Sequence, residues 1–122
     1  MSHKNIWEES GVLVELSGIL TNQDIFDSNM EIYGNDNFDH CQYQLVDARE
    51  IDGVDIDGDS IELLSVMDKT AISYKQYMRV ALVGTNPQFI EFFSEYVNEL
   101  DGSDWVAKIF DNLAEARAWV ES

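Results

Sequence analysis

One run constrains the fold more than any other: Arg79 to Gly84 reads RVALVG, and Asn86-Pro87 follows at once. A near-continuous apolar stretch of this length is a strand covered on both faces, as found in the middle of a largely parallel sheet. Asn86 suits an N-cap, and Pro87 at the first helical position lacks only an amide that has no partner there anyway. A buried strand feeding directly into a helix is the repeating step of an α/β fold.

The same step recurs along the chain. His3 to Trp7 and Gly11 to Leu16 form a predicted hairpin turning at Glu9-Ser10-Gly11, the second strand closing at Ser17-Gly18. Thr21 caps a helix that carries Phe26, Met30 and Tyr33 on one side and ends at Gly34, before a polar loop from Asn35 to His40. Tyr43 to Val46 reads as a buried strand delivering Asp47 at its carboxyl end, followed by a loop in which Ile51, Val54 and Ile56 are spaced among carboxylates. Asp59 and Glu62 have capping-box spacing, which starts a helix at Asp59 that runs to about Ser73 with Leu63, Leu64, Met67 and Ala71 inward. After the Pro87 helix, which Gly102 ends, Trp105 to Phe110 is a short strand and Asp111 caps a last helix with Leu113, Ala116, Trp119 and Val120 inward. The expected order is β-β-α-β-α-β-α-β-α: an α/β sandwich with a mixed, mostly parallel sheet, about four helices and right-handed crossovers.

At 122 residues, 45% hydrophobic and 11% aromatic, the chain has the material for one domain spanning 1–122. Seven Lys+Arg against 24 Asp+Glu give a net charge of -17, which repels phosphate backbones and argues against nucleic acid. A lone cysteine, Cys41, forms no internal disulfide and builds no paired-thiolate metal site. No apolar run approaches the roughly 20 residues of a membrane-spanning helix. A cytoplasmic protein without membrane insertion is expected.

The acidic turn Asp55-Ile-Asp57-Gly-Asp59 sets three carboxylates at alternate positions, a pattern that suits a hard cation. Its register fails: with Asp55 first, the sixth place is Ser60 instead of glycine and the twelfth is Val66 instead of glutamate. A solvated acidic loop leading into a helix N-terminus is the better reading, with no metal expected. Asp47 resembles the phospho-acceptor position of receiver domains, but the first two strands supply only Glu15 where those domains need an acidic pair, and Lys108 falls inside a strand. His3 and His40 lie apart with no G-x-S-x-G elbow, adjacency does not make His40 and Cys41 a nucleophile pair, and the Gly84 turn lacks the later glycine and lysine of a phosphate loop. No catalytic residue and no cofactor are expected. Phe89, Phe92, Phe93 and Tyr96 fall at helical spacing and read first as core.

Several runs resemble the SpoIIAA-like proteins of the STAS superfamily, whose members include bacterial anti-sigma factor antagonists. They are GILTNQD from Gly18 to Asp24, LVD from Leu45 to Asp47, RVALVG from Arg79, and FDNLAEARAWV from Phe110 to Val120, similar to the F-x-x-x-x-E-A-x-x-W-[LV] ending of that group. The resemblance implies a SpoIIAA/STAS-like sandwich and a non-catalytic regulatory module acting through a protein partner, such as a kinase or an anti-sigma-like protein. In the antagonists a serine in an Asp-Ser-[Ser/Thr]-Gly run is phosphorylated; here the turn is Asp57-Gly58-Asp59-Ser60, so Ser60 is the one nearby hydroxyl and carboxylates replace much of the pattern. These four residues form the expected switch or partner surface. The STAS/CRAL-TRIO-like side of the resemblance implies, as the alternative, a small hydrophobic or lipid-like ligand between helices and sheet, with Phe89, Phe93 and Met67 as its pocket.

Overall fold

The hairpin forms where the sequence placed it: β1 (Ser2–Trp7) runs antiparallel to β2 (Gly11–Thr21), with His3 opposite Leu16 and Trp7 opposite Val12. The computed structural model describes residues 2–57, 66–67, 70–71 and 77–122. Gly11 has a local reason to be glycine. A Cβ there would lie 2.5 Å from the Tyr43 ring, so the hairpin packs onto that ring only with no side chain in between.

β2, β3 (Tyr43–Asp55), β4 (Met78–Val83) and β5 (Trp105–Phe110) are parallel neighbours, giving a five-stranded mixed sheet in the order β1-β2-β3-β4-β5. Between them lie α1 (Asn22–Tyr33), a 3-10 turn (Asp36–His40), α2 (Pro87–Leu100) and α3 (Leu113–Val120). Residues 66, 67, 70 and 71, between β3 and β4, are helical as well. The helix expected to start at Asp59 has its start outside the described residues.

Two hydrophobic clusters divide the sheet. One joins Ile32 of α1 and Phe89, Phe93, Tyr96 and Leu100 of α2 to Val14, Val80, Leu82 and Trp105. The other joins Ala116 and Val120 of α3 to Tyr43, Leu45, Ala81 and Val83. The alternation along β4 explains the split, since Val80 and Leu82 belong to the first cluster while Ala81 and Val83 belong to the second. From Val80 to Val83 β4 is thus apolar because both faces are covered.

Four local expectations need correction. β2 does not close at Ser17-Gly18 but continues to Thr21, with Gly18 taking a φ of 77° inside the strand. The polar loop from Asn35 is mostly the 3-10 turn, capped by the Asn35 side chain accepting from the Asn37 amide at 2.8 Å. Asp111 does not cap the last helix; Asn112 does, accepting from the Glu115 amide at 2.8 Å. The fourth concerns β3 and shapes the candidate site.

Candidate functional site at the carboxyl edge of the parallel strands

Asp47 is in the middle of β3, not at its carboxyl end, because the strand continues to Asp55 through the stretch expected as a loop. The pairing shows how. β4 pairs with β3 only from Tyr43 to Asp47, whereas β2 pairs with it as far as Thr21 opposite Asp55. Between Glu15 and Ser17, and again between Gly18 and Ile19, β3 carries one residue more than β2, and such bulges bend and twist a strand pair. Beyond Asp47 the β2–β3 pair therefore projects past β4 as a two-stranded ribbon.

Asp47, 7% exposed, is held by its own strand: both carboxylate oxygens accept from Arg49, Nε and Nη2 each at 2.9 Å, and Oδ1 also from the Arg49 amide at 3.2 Å. The guanidinium holds the carboxyl below its ordinary pKa, and burial opposes this. Glu15 lies directly opposite Asp47 in the register, so Arg49 also offsets a like-charge pair across the strands. This is the environment of a fixed structural carboxylate.

The ribbon's tip is secured by helix starts. Thr21 Oγ1 accepts from the Asp24 amide at 3.3 Å while Asp24 accepts from the Thr21 amide at 3.0 Å, a reciprocal cap that begins α1 where β2 ends. One residue on, Asn22 Nδ2 donates to Asp57 Oδ2 at 3.0 Å. On the side that β4 no longer covers, Gln88 Oε1 accepts from the Val54 amide at 3.1 Å, so a side chain from the first turn of α2 replaces a missing strand partner. Asn86 caps that helix, accepting from the amides of Gln88 at 2.9 Å and Phe89 at 3.3 Å. Two helix N-termini and the exposed carboxylates of Asp55 and Asp57 thus meet at one edge, the end of an α/β sheet where ligands and partners commonly bind. Apolar side chains reach solvent nearby in sequence: Ile19 on β2 is 45% exposed, and Phe26 and Met30, one turn apart on α1, are 40% and 53% exposed.

The opposite end of β3 carries the strongest electrostatic cluster among the described residues. Arg117 of α3 grips Glu8 of the hairpin turn with two bonds, Nη1 to Oε1 at 2.6 Å and Nη2 to Oε2 at 3.0 Å, and Tyr43 donates its hydroxyl to the same Glu8 Oε1. The arginine bond holds the Glu8 carboxyl below its ordinary range. Burial, reinforced by the Glu8 charge, pushes the Tyr43 phenol up to about 12. Arg117 is raised further by Glu8. The cluster ties the first turn of the chain to its last helix and lines an open groove of about 560 Å³.

No family model matches the chain, and no curated protein matches it. Solved structures do. The anti-sigma factor antagonist SpoIIAA in its unphosphorylated form superposes with a TM-score of 0.62 at 12% identity, over 97% of this chain and 96% of that one. The fold is SpoIIAA-like. An uncharacterized protein of the DUF3478 family with a SpoIIAA-like fold, from Shewanella loihica PV-4, aligns with a TM-score of 0.55 at 17% identity over 98% of this chain and 92% of its own.

On this SpoIIAA-like fold the residues singled out in the sequence separate. Asp57 is exposed at the carboxyl edge; Gly58, Asp59 and Ser60 lie outside the described residues. Phe89 is fully buried beneath the Gly84 turn, where a Cβ on Gly84 would meet its ring at 2.9 Å. Phe93 stacks on Phe89 with ring centroids 4.7 Å apart and also borders a cleft between α1 and α2, which neither Phe89 nor Met67 lines among the described residues. Met67 is half-buried. Sequence reasoning missed Gln44 and Gln88. Gln44 had a signal, since a polar side chain in the buried Tyr43–Val46 run demands a partner.

Proposed function

We propose that this protein is a non-catalytic regulatory module, a single unit over residues 1–122, which binds a protein partner through the carboxyl edge around Asp57. The observation that carries the reading is the Asn22–Asp57 bond, which holds an exposed carboxylate at the α1 N-terminus on the edge where the β2–β3 ribbon protrudes. The likeness to an anti-sigma factor antagonist supports a switch-type partner, a kinase or an anti-sigma-like protein, and a cytoplasmic bacterial setting. Asp57 and Asp59 supply permanent negative charge where a phosphoserine would place it, and Ser60 remains the hydroxyl for a kinase.

The test is retention of partners from an extract of the source organism on immobilised protein. A partner held by the wild type, lost with Asp57→Arg and kept with Val106→Asp on the edge strand β5 is the expected result. Equal retention by all three refutes the reading. Incubation of the wild type and Ser60→Ala with the same extract and ATP, followed by mass spectrometry, reads the switch; phosphate on Ser60 in the wild type is expected, and its absence restricts the module to its fixed charge.

A further inference from the structure

The cleft between α1 and α2 is independent of the carboxyl edge and of the function proposed for it. Val14, Val46 and Leu82 from three adjacent strands line it, together with Ile25 of α1 and Phe93 of α2, around a cavity of about 50 Å³. Three polar side chains, Ser28, Asn29 and Gln44, interrupt the apolar lining. Gln44 is 5% exposed, and its amide nitrogen is buried without a hydrogen-bond partner among the described residues. Buried polar groups are nearly always paired, because leaving one unpaired forfeits its hydration without return. An unpaired donor in an apolar cleft therefore specifies what fits there: an acceptor carried on an apolar body.

Charge and size narrow the guest. No cation lines the cleft among the described residues, and the chain carries -17, so an anion would lose its hydration and meet repulsion with nothing to compensate. A cavity of about 50 Å³ exceeds what a single water requires, roughly 10–15 Å³, and falls well short of the roughly 150 Å³ that accommodates benzene. We infer that the α1–α2 cleft is a binding site for a small neutral amphiphile, a short aliphatic chain ending in a carbonyl-type oxygen that accepts from Gln44 Nε2. Ser28, the other buried polar residue of the lining, donates its hydroxyl to Asn5 Oδ1 at 3.1 Å and is already engaged, and Asn29 is only half-buried, which leaves Gln44 as the buried recognition group.

Acetamide and acetate, each with fewer non-hydrogen atoms than benzene, serve as probes of equal length and opposite charge status, read by proton–nitrogen NMR at the Gln44 side-chain amide and by methyl shifts of Val14, Val46 and Leu82. Saturable shifts with acetamide, none with acetate, and at least about tenfold weaker binding in both Gln44→Leu and Gln44→Met are expected. Two replacements of similar size keep the test meaningful if one of them perturbs folding. Absence of saturable shifts overturns the inference, as does equal response to acetate or unchanged affinity in a folded variant. Contact between the Gln44 amide and a water that persists at saturating acetamide overturns it too, since the site then holds ordered water only.

Discussion

Tyr43→Phe gives the sharpest check on how the chain is closed. The hydroxyl donates to Glu8, which Arg117 also grips, so the mutation removes one bond to a charged acceptor and leaves the arginine pair in place. Near neutral pH the expected cost is about 1.5–3 kcal/mol, the range for hydrogen bonds to charged groups. The same phenol is raised from 10.0 to about 12 on folding. In the interval between those values the folded state retains a proton that the unfolded state has released, so stability falls as pH rises. Two units at about 1.4 kcal/mol each set a ceiling near 2.7 kcal/mol, of which about 2 kcal/mol is lost by about pH 11.5. Urea unfolding of wild type and Tyr43→Phe, measured from about pH 8 to about pH 11.5, cancels the other tyrosines and the lysines in the difference. The gap between the two proteins should shrink by about 2 kcal/mol over that range. Glu8→Gln should lower the tyrosine pKa only partly, because burial is the larger cause of the shift. A gap that stays constant with pH refutes the assignment of a buried, neutral phenol at this latch.

Gly11→Ala drives a methyl into the Tyr43 ring and should cost about 1–3 kcal/mol in urea unfolding, whereas an unchanged midpoint would show that the ring moves aside freely. Thr21→Ala removes half of the reciprocal cap at the start of α1 and should cost about 1 kcal/mol, with faster amide exchange at Asp24. Asp47→Asn should cost about 1 kcal/mol at pH 7, a modest figure because Arg49 is half exposed. The depressed Asp47 pKa puts this contribution above the ordinary carboxylate range, and it disappears as pH falls through the folded value; a wild-type-minus-variant difference that grows on acidification contradicts the pairing.

The sequence made the strand–helix succession legible because each step carries its own local signal. RVALVG needed cover on both faces and received it from two separate clusters. Asn86-Pro87 and Thr21 acted as the helix starts that their chemistry favours. The end of β3 was not legible in the same way. Ile51 and Gly53 are buried while Asp52 between them is exposed, a period-two pattern that reads as strand only when a neighbour is known to continue beside it. That neighbour is β2, whose own extension past Gly18 was equally hidden. The correction matters for the candidate site: the carboxyl end of β3 lies at Asp55, two residues from Asp57, and not at Asp47.

Local chemistry by itself determined the elements, their order, the acidity of the surface and the caps that start α1 and α2, since these depend on neighbours within a few residues. Only the tertiary structure decided that Glu8 meets Arg117 across 109 residues, that Gln88 replaces a strand partner for Val54, and that Gln44 Nε2 has no hydrogen-bond partner among the described residues. The physical reason is common to all three. A polar side chain's worth depends on what stands within about 3 Å of it once water is gone, and that is set by the packing of distant segments.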